Sequence, residues 1–256
     1  VDAVISGNAS TSGNGGGGIA NAGTLQVDRT TIANNQAPLA GGGVLQISIG
    51  SAILSNCTLS GNSAQQGGAA ANQTLTGDAS MAFSNCTISG NSASVHSAAL
   101  VNISSAAGTA ATMTLTNNTI VDNSGPSLAI RNGVNLGSAT LTVRNNIYAD
   151  NGDGNVINIG AGVVTSLGNN LSDDATGGGG PGDLLNTDPL LAPLANYGGG
   201  TQTHALLPGS PAINAGTVTD APATDQRGVG RVGAVDIGAF ESRGFTLALT
   251  GGNNQS

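Results

Sequence analysis

The sequence contains no lysine and has little charge of either sign. Six arginines stand against 14 acidic residues, which gives a net charge of −8, and only 8% of the 256 residues are charged. An ordinary soluble domain has roughly 25%. Six scattered arginines cannot neutralise a run of phosphates, so the composition excludes a nucleic-acid-binding surface. A coiled coil or helix bundle is also disfavoured, because both need lysine, leucine and glutamate in quantity.

Large side chains are scarce as well. Aromatic residues make up 2% of the chain and tryptophan is absent, which argues against a layered core of large aliphatic and aromatic side chains. The 42 glycines suggest disorder, but hydrophobic residues make up 38% and recur in a fixed order, which disordered low-complexity chains do not show. No run of about 18 apolar residues occurs, so no membrane span is predicted.

The ends and the two cysteines bear on where the protein works. Val1 opens directly in a repeat, without the charged and apolar regions of a signal peptide, and residues 251–256 resemble a linker. We therefore expect a mature or excised fragment. Two cysteines are too few for a disulfide scaffold. A lysine-free, acidic and weakly charged surface favours a location outside the cell.

One short element returns through the first two thirds of the chain, as in Thr58-Leu-Ser-Gly-Asn62 and Thr87-Ile-Ser-Gly-Asn91. Its central aliphatic residues are Ile5, Ile32, Leu59, Ile88, Ile120, Ile147 and Leu171. The spacings between them are 27, 27, 29, 32, 27 and 24 residues. A period in this range that tolerates small insertions is typical of a solenoid.

Two further strands are predicted in each repeat. Apolar residues five and seven positions before the aliphatic, such as Met81 and Phe83, alternate with polar ones and form the inward face of a strand. The inward parity then shifts by one, so a corner must lie between, and asparagine suits it because it tolerates the left-handed backbone region. After a variable loop comes a third strand with an apolar residue and, two places later, an amide, as in Val44-Leu-Gln46.

These features predict an all-β fold, a right-handed parallel β-helix with about 27 residues and three short strands per coil. Right-handed winding follows the general preference of parallel crossovers. Equivalent residues of successive coils should lie about 4.8 Å apart, so repeated amides become ladders that can hydrogen-bond from coil to coil. One predicted ladder, at the corner, consists of Asn56, Asn85 and Asn117. The other consists of Asn21, Gln46, Asn72, Asn102, Asn132 and Asn158.

The two cysteines share one repeat position. Cys57 and Cys86 each stand two residues before the aliphatic, and they should stack as inward neighbours. A disulfide is possible by Cα distance, although a directly facing parallel pair has poor geometry for one. We interpret them as a buried thiol pair that fills space, and we expect no metal site there because neither histidine shares the position.

Two resemblances add to this reading. The coils of residues 1–172, with runs such as Ser60-Gly-Asn62 followed by Gly67-Gly-Ala-Ala70, resemble pectate-lyase-like right-handed β-helices and the repeats of polymorphic outer-membrane proteins. Residues 166–241, which include Pro208-Gly-Ser-Pro-Ala-Ile-Asn-Ala-Gly216 and Asp236-Ile-Gly-Ala-Phe-Glu241, resemble the C-terminal signature of bacterial choice-of-anchor Q domain proteins. The second resemblance implies a bacterial, extracellular β-helix of adhesin type, and it implies no known reaction.

The rest of the chain is predicted to close the solenoid. Residues 173–244 are rich in proline and leucine, and we interpret them as a C-terminal cap with irregular last coils, since an uncovered end would invite edge-to-edge association. Residues 245–256 form a predicted terminal strand and linker. The densest charge cluster of the chain lies here, and its members are Asp225, Arg227, Arg231, Asp236 and Glu241. An arginine–carboxylate network that holds the cap is the leading interpretation. A sugar or cation site remains the alternative, with Ca²⁺ as the candidate ion and Asp225 and Asp236 as its candidate ligands.

Catalytic candidates are few. Many β-helix proteins cleave polysaccharides with two or three carboxylates close together, but the best pair here, Asp122 and Asp150, lies at a corner where other coils have glycine. A lone aspartate at such a corner is typical of a turn. His96 lies in a loop and His204 in the cap motif, and we interpret both as structural. The predicted catalytic set is therefore empty.

The sequence leaves several functions open. The leading hypothesis is a non-enzymatic structural or adhesive module of a bacterial surface protein or extracellular filament, with head-to-tail copies or neighbouring domains as partners. The alternative is a protein that binds or degrades polysaccharides. Ice binding is a further alternative: one outward threonine column repeats in four coils, at Thr31, Thr58, Thr87 and Thr119. A flat ice-binding face needs several matched rows.

Overall fold

The recurring element around each central aliphatic residue forms a short strand, and these strands stack into one parallel sheet. Ile5 pairs with Ile32, Ile32 with Leu59, and Leu59 with Ile88. Alternation of apolar and polar residues in these strands directs one face inward and one outward. We call this seven-stranded sheet the first sheet, and its order is β1-β4-β7-β11-β14-β16-β19.

The computed structural model describes residues 2–11, 13 and 15–243. In chain order the strands are β1 (Ala3–Ser6), β2 (Ile19–Asn21), β3 (Thr24–Asp28), β4 (Thr30–Ala33), β5 (Val44–Ile47), β6 (Gly50–Ser55), β7 (Thr58–Ser60), β8 (Ser63–Ala64), β9 (Ala70–Thr74), β10 (Ala79–Ser84), β11 (Thr87–Ser89), β12 (Ser92–Ala93), β13 (Leu100–Thr116), β14 (Thr119–Val121), β15 (Ile130–Arg144), β16 (Ile147–Ala149), β17 (Val156–Ile159), β18 (Val163–Ser166) and β19 (Leu171–Ser172).

The second sheet has two arms that correspond to the other two predicted strands of each coil. Its leading arm contains β2, β5, β9 and β17, and its trailing arm contains β3, β6, β10 and β18, while the long strands β13 and β15 run through both arms. Strands β8 and β12 form a third, two-stranded sheet. Every strand pair is parallel, and successive coils of about 28 residues make about six turns. The predicted parallel β-helix is confirmed.

Small and medium side chains fill the interior. Leu54, Met81, Phe83 and Leu115 are at most 1% exposed and belong to one continuous core. Their inward positions alternate with outward residues along the trailing arm, most of which are serine or threonine. The described residues include no helix that is long and apolar enough to cross a membrane.

The register of the last two coils differs from the prediction. Ile120 pairs with Tyr148 rather than with Ile147, and Ile147 pairs with Thr119 and Leu171. Tyr148 therefore faces the core, whereas Ile147 and Leu171 face outward. The prediction that these two aliphatics point inward was wrong because it aligned them by residue type.

The C-terminal part of the chain lies in two places. Residues 173–187 follow the last coil, where Leu184 forms a parallel bridge with Leu171. Residues 188–243, which we call the side segment, run along the outward face of the first sheet. They pack Leu206, Ala212 and Ile237 against its last strands in a second apolar cluster. From β7 onward the first sheet is thus covered on both faces, whereas β1 at its edge is exposed. The terminal strand and linker predicted for residues 245–256 lie outside the described residues.

Candidate functional site

Buried amides connect the coils on the inner side of the first sheet. Asn62 donates its backbone N–H and its Nδ2 to Oδ1 of Asn91, each at 3.0 Å. Asn91 makes the same pair of bonds to Asn123, and Asn123 makes them to Asn151. The sequence analysis missed this inner ladder, which also contains Asn8 and Asn35, although the asparagine that ends each repeat element marks it.

The ladder predicted on the second sheet is present as a row of side-chain contacts with one gap. Nδ2 of Asn72 lies 2.8 Å from Oδ1 of Asn102, and the same contact continues to Asn132 and from there to Asn158, at 2.8 and 2.9 Å. At the other end Asn21 donates to Gln46. The gap lies between Gln46 and Asn72, because the longer Gln46 side chain reaches the carbonyl of Ile49 instead.

The predicted corner asparagines adopt the left-handed backbone conformation, with φ of 56° at Asn56, 51° at Asn85 and 54° at Asn117. Asn85 donates to Asn56 at 3.3 Å. Asn56 donates to Oδ1 of Asp28 within the solenoid. The other two reach the side segment: Nδ2 of Asn85 donates to the carbonyl of Thr224, and Nδ2 of Asn117 to that of Asp236. This corner row therefore attaches the side segment to the solenoid.

The two thiols are stacked, buried and unbonded. Cys57 and Cys86 are both 0% exposed and free, and the backbone N–H of Cys57 points at Sγ of Cys86, 3.4 Å away. Burial raises the pKa of the Cys86 thiol. Both thiols donate to backbone carbonyls, Cys57 to Ser55 and Cys86 to Leu54.

The charge cluster of the side segment forms two ion pairs and a network around them. Arg231 lies 2.9 Å from the carboxylate of Glu241, and both side chains are at most 3% exposed. Arg227 lies 2.7 Å from Asp225 and stacks over the ring of Phe240, 3.5 Å from its centroid. Arg231 also donates to Oδ1 of Asn85 at 3.0 Å. The network therefore links the side segment to the corner asparagines.

The two candidate metal ligands face hydrogen-bond donors. The carboxylate of Asp225 accepts five N–H groups, from Arg227, Val229 and Glu241. Asp236 accepts the backbone N–H groups of Asn214 and Ser242, and burial raises its pKa despite these bonds. This arrangement suits a structural role, because N–H donors occupy the directions that a cation would need. Among the described residues, no three His, Cys, Asp or Glu side chains are placed to share a metal ion.

Asp122 and Asp150 occupy a second left-handed corner, with φ of 59° and 53°, in the column that holds Gly61 and Gly90 in earlier coils. The pKa of Asp150 is raised by partial burial and by three nearby carboxylates, of which Asp122 is the largest contributor. Aspartate is among the few residues with a side chain that tolerate this conformation, so the corner itself accounts for both residues.

The histidines have different environments. His204 is 3% exposed, with Nδ1 2.8 Å from the carbonyl of Ala192 and Nε2 3.0 Å from Oγ of Ser89, so it joins two stretches of the side segment to the first sheet. His96 is half-buried, and its pKa is lowered by burial and by Arg131.

The outward threonine column is covered by the side segment. Thr87 shares hydrogen bonds with the hydroxyl of Thr203 at 2.8 Å and with Oε1 of Gln226 at 2.6 Å. Thr58 donates to the carbonyl of Gln202, and Thr119 accepts the N–H of Ala239. Three of the four members are buried, so this column offers no open face.

A groove of about 580 Å³ opens along the side segment. Tyr197, Leu206, Val229 and Phe240 supply most of its apolar wall, and Arg227 lies among them. Tyr197 and Phe240 meet edge to face, with ring centroids 6.1 Å apart. In a chain so poor in aromatics, two adjacent rings at a surface groove mark it as the best-formed candidate for ligand contact.

Comparison of the chain with protein-family models, with curated proteins and with solved structures finds no match.

Proposed function

We propose that the chain is a non-enzymatic structural or adhesive β-helix module of an extracellular bacterial surface protein or filament. The observation that carries the proposal is the use of the charge cluster. Arg227 and Arg231 bind Asp225 and Glu241 inside the side segment, and Arg231 also binds Asn85 of the solenoid. The charged side chains of this cluster therefore hold the side segment together and attach it to the solenoid.

The amide ladders support the same proposal. A row of buried amides that bond from coil to coil makes the solenoid a stiff rod, since each rung satisfies the polar groups of the coil before it. Such a rod suits a stalk or filament. The resemblance of residues 166–241 to choice-of-anchor Q domain proteins supports the surface location and remains part of the proposal.

The ladder ends favour a neighbouring domain as partner over a head-to-tail copy. In the last coil, Asn155 donates its side chain to Asp173 and its backbone N–H to Asp174. A second inner ladder ends at Asn170, which accepts the N–H and Nδ2 of Asn146 and donates its own two groups to Asp183. Carboxylates only accept, so they terminate both ladders, and a second copy stacked on this end would find these donors already used.

The test of the structural proposal is an activity screen on the full chain. Acidic and neutral polysaccharides are incubated with the protein, with and without Ca²⁺, and new reducing ends are measured. We expect no release, together with strong resistance of residues 2–187 to proteolysis. Release that is lost in Asp122→Asn or Asp225→Asn, but kept in the exposed control Asp153→Asn, would replace the proposal with an enzyme.

Polysaccharide binding without cleavage is the second candidate, and the groove at Tyr197 and Phe240 favours it because aromatic rings stack on apolar faces of ligands. Titration of oligosaccharides into the full chain, followed by calorimetry, tests it. We expect Tyr197→Ala to weaken any binding. The other tyrosine, Tyr148, is buried in the core and is unchanged in this variant, so its signal reports whether the variant is folded. Binding that Tyr197→Ala leaves unchanged would remove the groove from consideration.

A further inference from the structure

The trailing arm of the second sheet carries an open array of hydroxyl groups on its outward face. Four successive coils contribute three outward positions each, and the paired register places them in three straight columns. Nine of these twelve positions are hydroxyl residues, namely Ser51, Ser55, Ser80, Ser84, Thr112, Thr114, Thr116, Thr140 and Thr142. The other three are Ile53, Ala82 and Arg144.

These hydroxyls are free, in contrast to those under the side segment. None of the nine makes a side-chain hydrogen bond with another residue in the part of the chain that the structure describes, and each is exposed or half-buried. Charge is confined to the margins of the array, where Arg144 pairs with Asp220 and where Asp78 accepts the N–H of Ala110. The interior is therefore a neutral surface of hydroxyls and methyls.

The array is also ordered in two directions. Neighbouring coils lie about 4.7–4.9 Å apart, and alternate residues of one strand about 6.6–6.8 Å apart. Threonine strengthens the order, because a β-branched side chain in a strand is restricted at χ1. The strands rest on the closely packed core at Met113, Leu115 and Leu141, so the spacing is fixed by the fold before any ligand arrives.

We propose that this hydroxyl array binds ice, through the ordered water layer at an ice surface. Two waters that donate to or accept from a common third water at about 2.75 Å, with tetrahedral angles, lie about 4.5 Å apart. That repeat is within about 0.4 Å of the coil spacing, so hydroxyls of neighbouring coils can bond to neighbouring waters of one ordered layer. A regular lattice of neutral hydroxyls held by a packed core matches a crystalline solid better than a single flexible glycan, which would need aromatic platforms that the twelve positions lack.

At one margin the side segment reaches this face, where Arg144 bonds to Thr219 and Asp220 and where Asp220 borders a small cavity beside Thr116 and Thr142. The array is otherwise separate from the contacts on which the proposed structural function rests. It also differs from the threonine column at Thr58, Thr87 and Thr119, whose hydroxyls are used inside the fold. Threonine is common in strands for packing reasons alone, so the experiment must separate a solvated strand face from a binding face.

The test measures incorporation of the full chain into a slowly growing ice front, and inhibition of ice recrystallisation. Thr114→Lys and Thr142→Lys place a hydrated charge within the array, and Ser94→Lys makes the same change on an exposed loop residue elsewhere. We expect the wild type and Ser94→Lys to enter ice and both threonine variants to be excluded. Two separate positions keep the test valid if one variant fails to fold, which circular dichroism would reveal.

Three results would overturn the proposal. The first is exclusion of the folded wild type from ice. The second is ice binding that the folded threonine variants retain. The third is binding to crystalline cellulose or chitin without binding to ice, which would assign the array to a polysaccharide surface.

Discussion

The Sγ atom of Cys86 lies 3.4 Å from the backbone nitrogen of Cys57, in the place that an asparagine Oδ1 takes one coil later. There the backbone N–H of Cys86 donates to Oδ1 of Asn118 at 2.9 Å, and Asn118 in turn donates to Asn146 at 3.0 Å. The thiols are thus rungs of an amide ladder in which sulfur replaces oxygen. Sulfur is a weaker acceptor than a carbonyl oxygen, so this part of the ladder is its weakest part.

We predict that Cys86→Asn stabilises the protein. The new Oδ1 can accept the N–H of Cys57, and the new Nδ2 can donate to Leu54 and Asn118, as Asn118 itself does toward Phe83 and Asn146. Net gains of about 1 kcal/mol in the free energy of unfolding are expected for such bonds. Urea denaturation measures the change.

The control for this experiment is Cys86→Ala, which leaves the buried N–H of Cys57 without an acceptor and should lower the free energy of unfolding by about 1–3 kcal/mol. If Cys86→Asn proves as destabilising as Cys86→Ala, the equivalence of cysteine and asparagine in this ladder is wrong.

Asn91 should be among the most sensitive positions of the solenoid. Its Oδ1 accepts two donors from Asn62, and its Nδ2 reaches the carbonyl of Leu59 and Oδ1 of Asn123. Asn91→Ala leaves several buried groups unpaired, and we expect a loss of about 3 kcal/mol or more, since each unpaired group costs about 1–3 kcal/mol. Thermal and urea unfolding measure it, with the exposed Asn135→Ala as the matched control, for which a change within about 0.5 kcal/mol is expected.

Much of the fold could be predicted because each coil solves the same packing problem with the same residues. The alternation at Met81 and Phe83 marks the inward face, and the asparagine between them and the next strand marks the corner. The pairing of Cys57 with Cys86 followed from their shared repeat position, and the coil register brings them together.

The errors arose where residue type and register disagree. Ile147 resembles the inward aliphatics, but the doublets Asn117-Asn118 and Asn145-Asn146 set the corner and the ladder, and they place Tyr148 in register with Ile120. An unpaired buried amide destabilises the fold strongly. An outward isoleucine costs little here, because the apolar side segment covers it. The ladder therefore decides the register.

The side segment could not be placed from sequence, because it makes few regular pairings of its own. Its position depends on long-range contacts such as that of Gln226 with Thr58 and Thr87. The charge cluster was visible as a cluster, but its partner on the solenoid, Asn85, lies 146 residues from Arg231 and shares no motif with it.

The ion pair of Arg231 and Glu241 should matter more than any exposed pair. Arg231→Met leaves Glu241 buried without its partner, and breaking a buried pair in this way costs about 3–5 kcal/mol. We expect the side segment to detach while the coils stay folded, seen as faster hydrogen exchange at Thr203 and Gln226 but not at Leu115.

Two controls define this result. Arg29→Gln removes an exposed pair with Asp28, whose side chains are 51% and 39% exposed, and should change stability by at most about 1 kcal/mol. The double variant Arg231→Met, Glu241→Leu should be less destabilised than Arg231→Met alone, since the Glu241 carboxylate is then not left buried without its partner. Equal loss in both would show that the packing of Arg231, not its charge, holds the segment.

Mild acid should loosen the side segment through His204. Burial lowers the pKa of this histidine, against the opposing effects of the Ala192 carbonyl and the Asp122 charge. A lowered folded-state pKa means that the unfolded state takes up the proton first, so stability falls as the pH drops below the unfolded value of about 6.5. The raised pKa of Asp236 acts in the opposite direction, because its folded state takes up the proton first. The two effects oppose each other, and the loosening expected between about pH 6.5 and pH 5 is the contribution of His204. Hydrogen exchange at Thr203 and Gln226 should therefore accelerate over this interval, relative to the change in intrinsic exchange rate.

His204→Gln, which keeps a side-chain donor toward Ser89 or Ala192 but does not titrate, should abolish that pH dependence. An unchanged profile in His204→Gln would contradict the assignment of this pH dependence to the histidine.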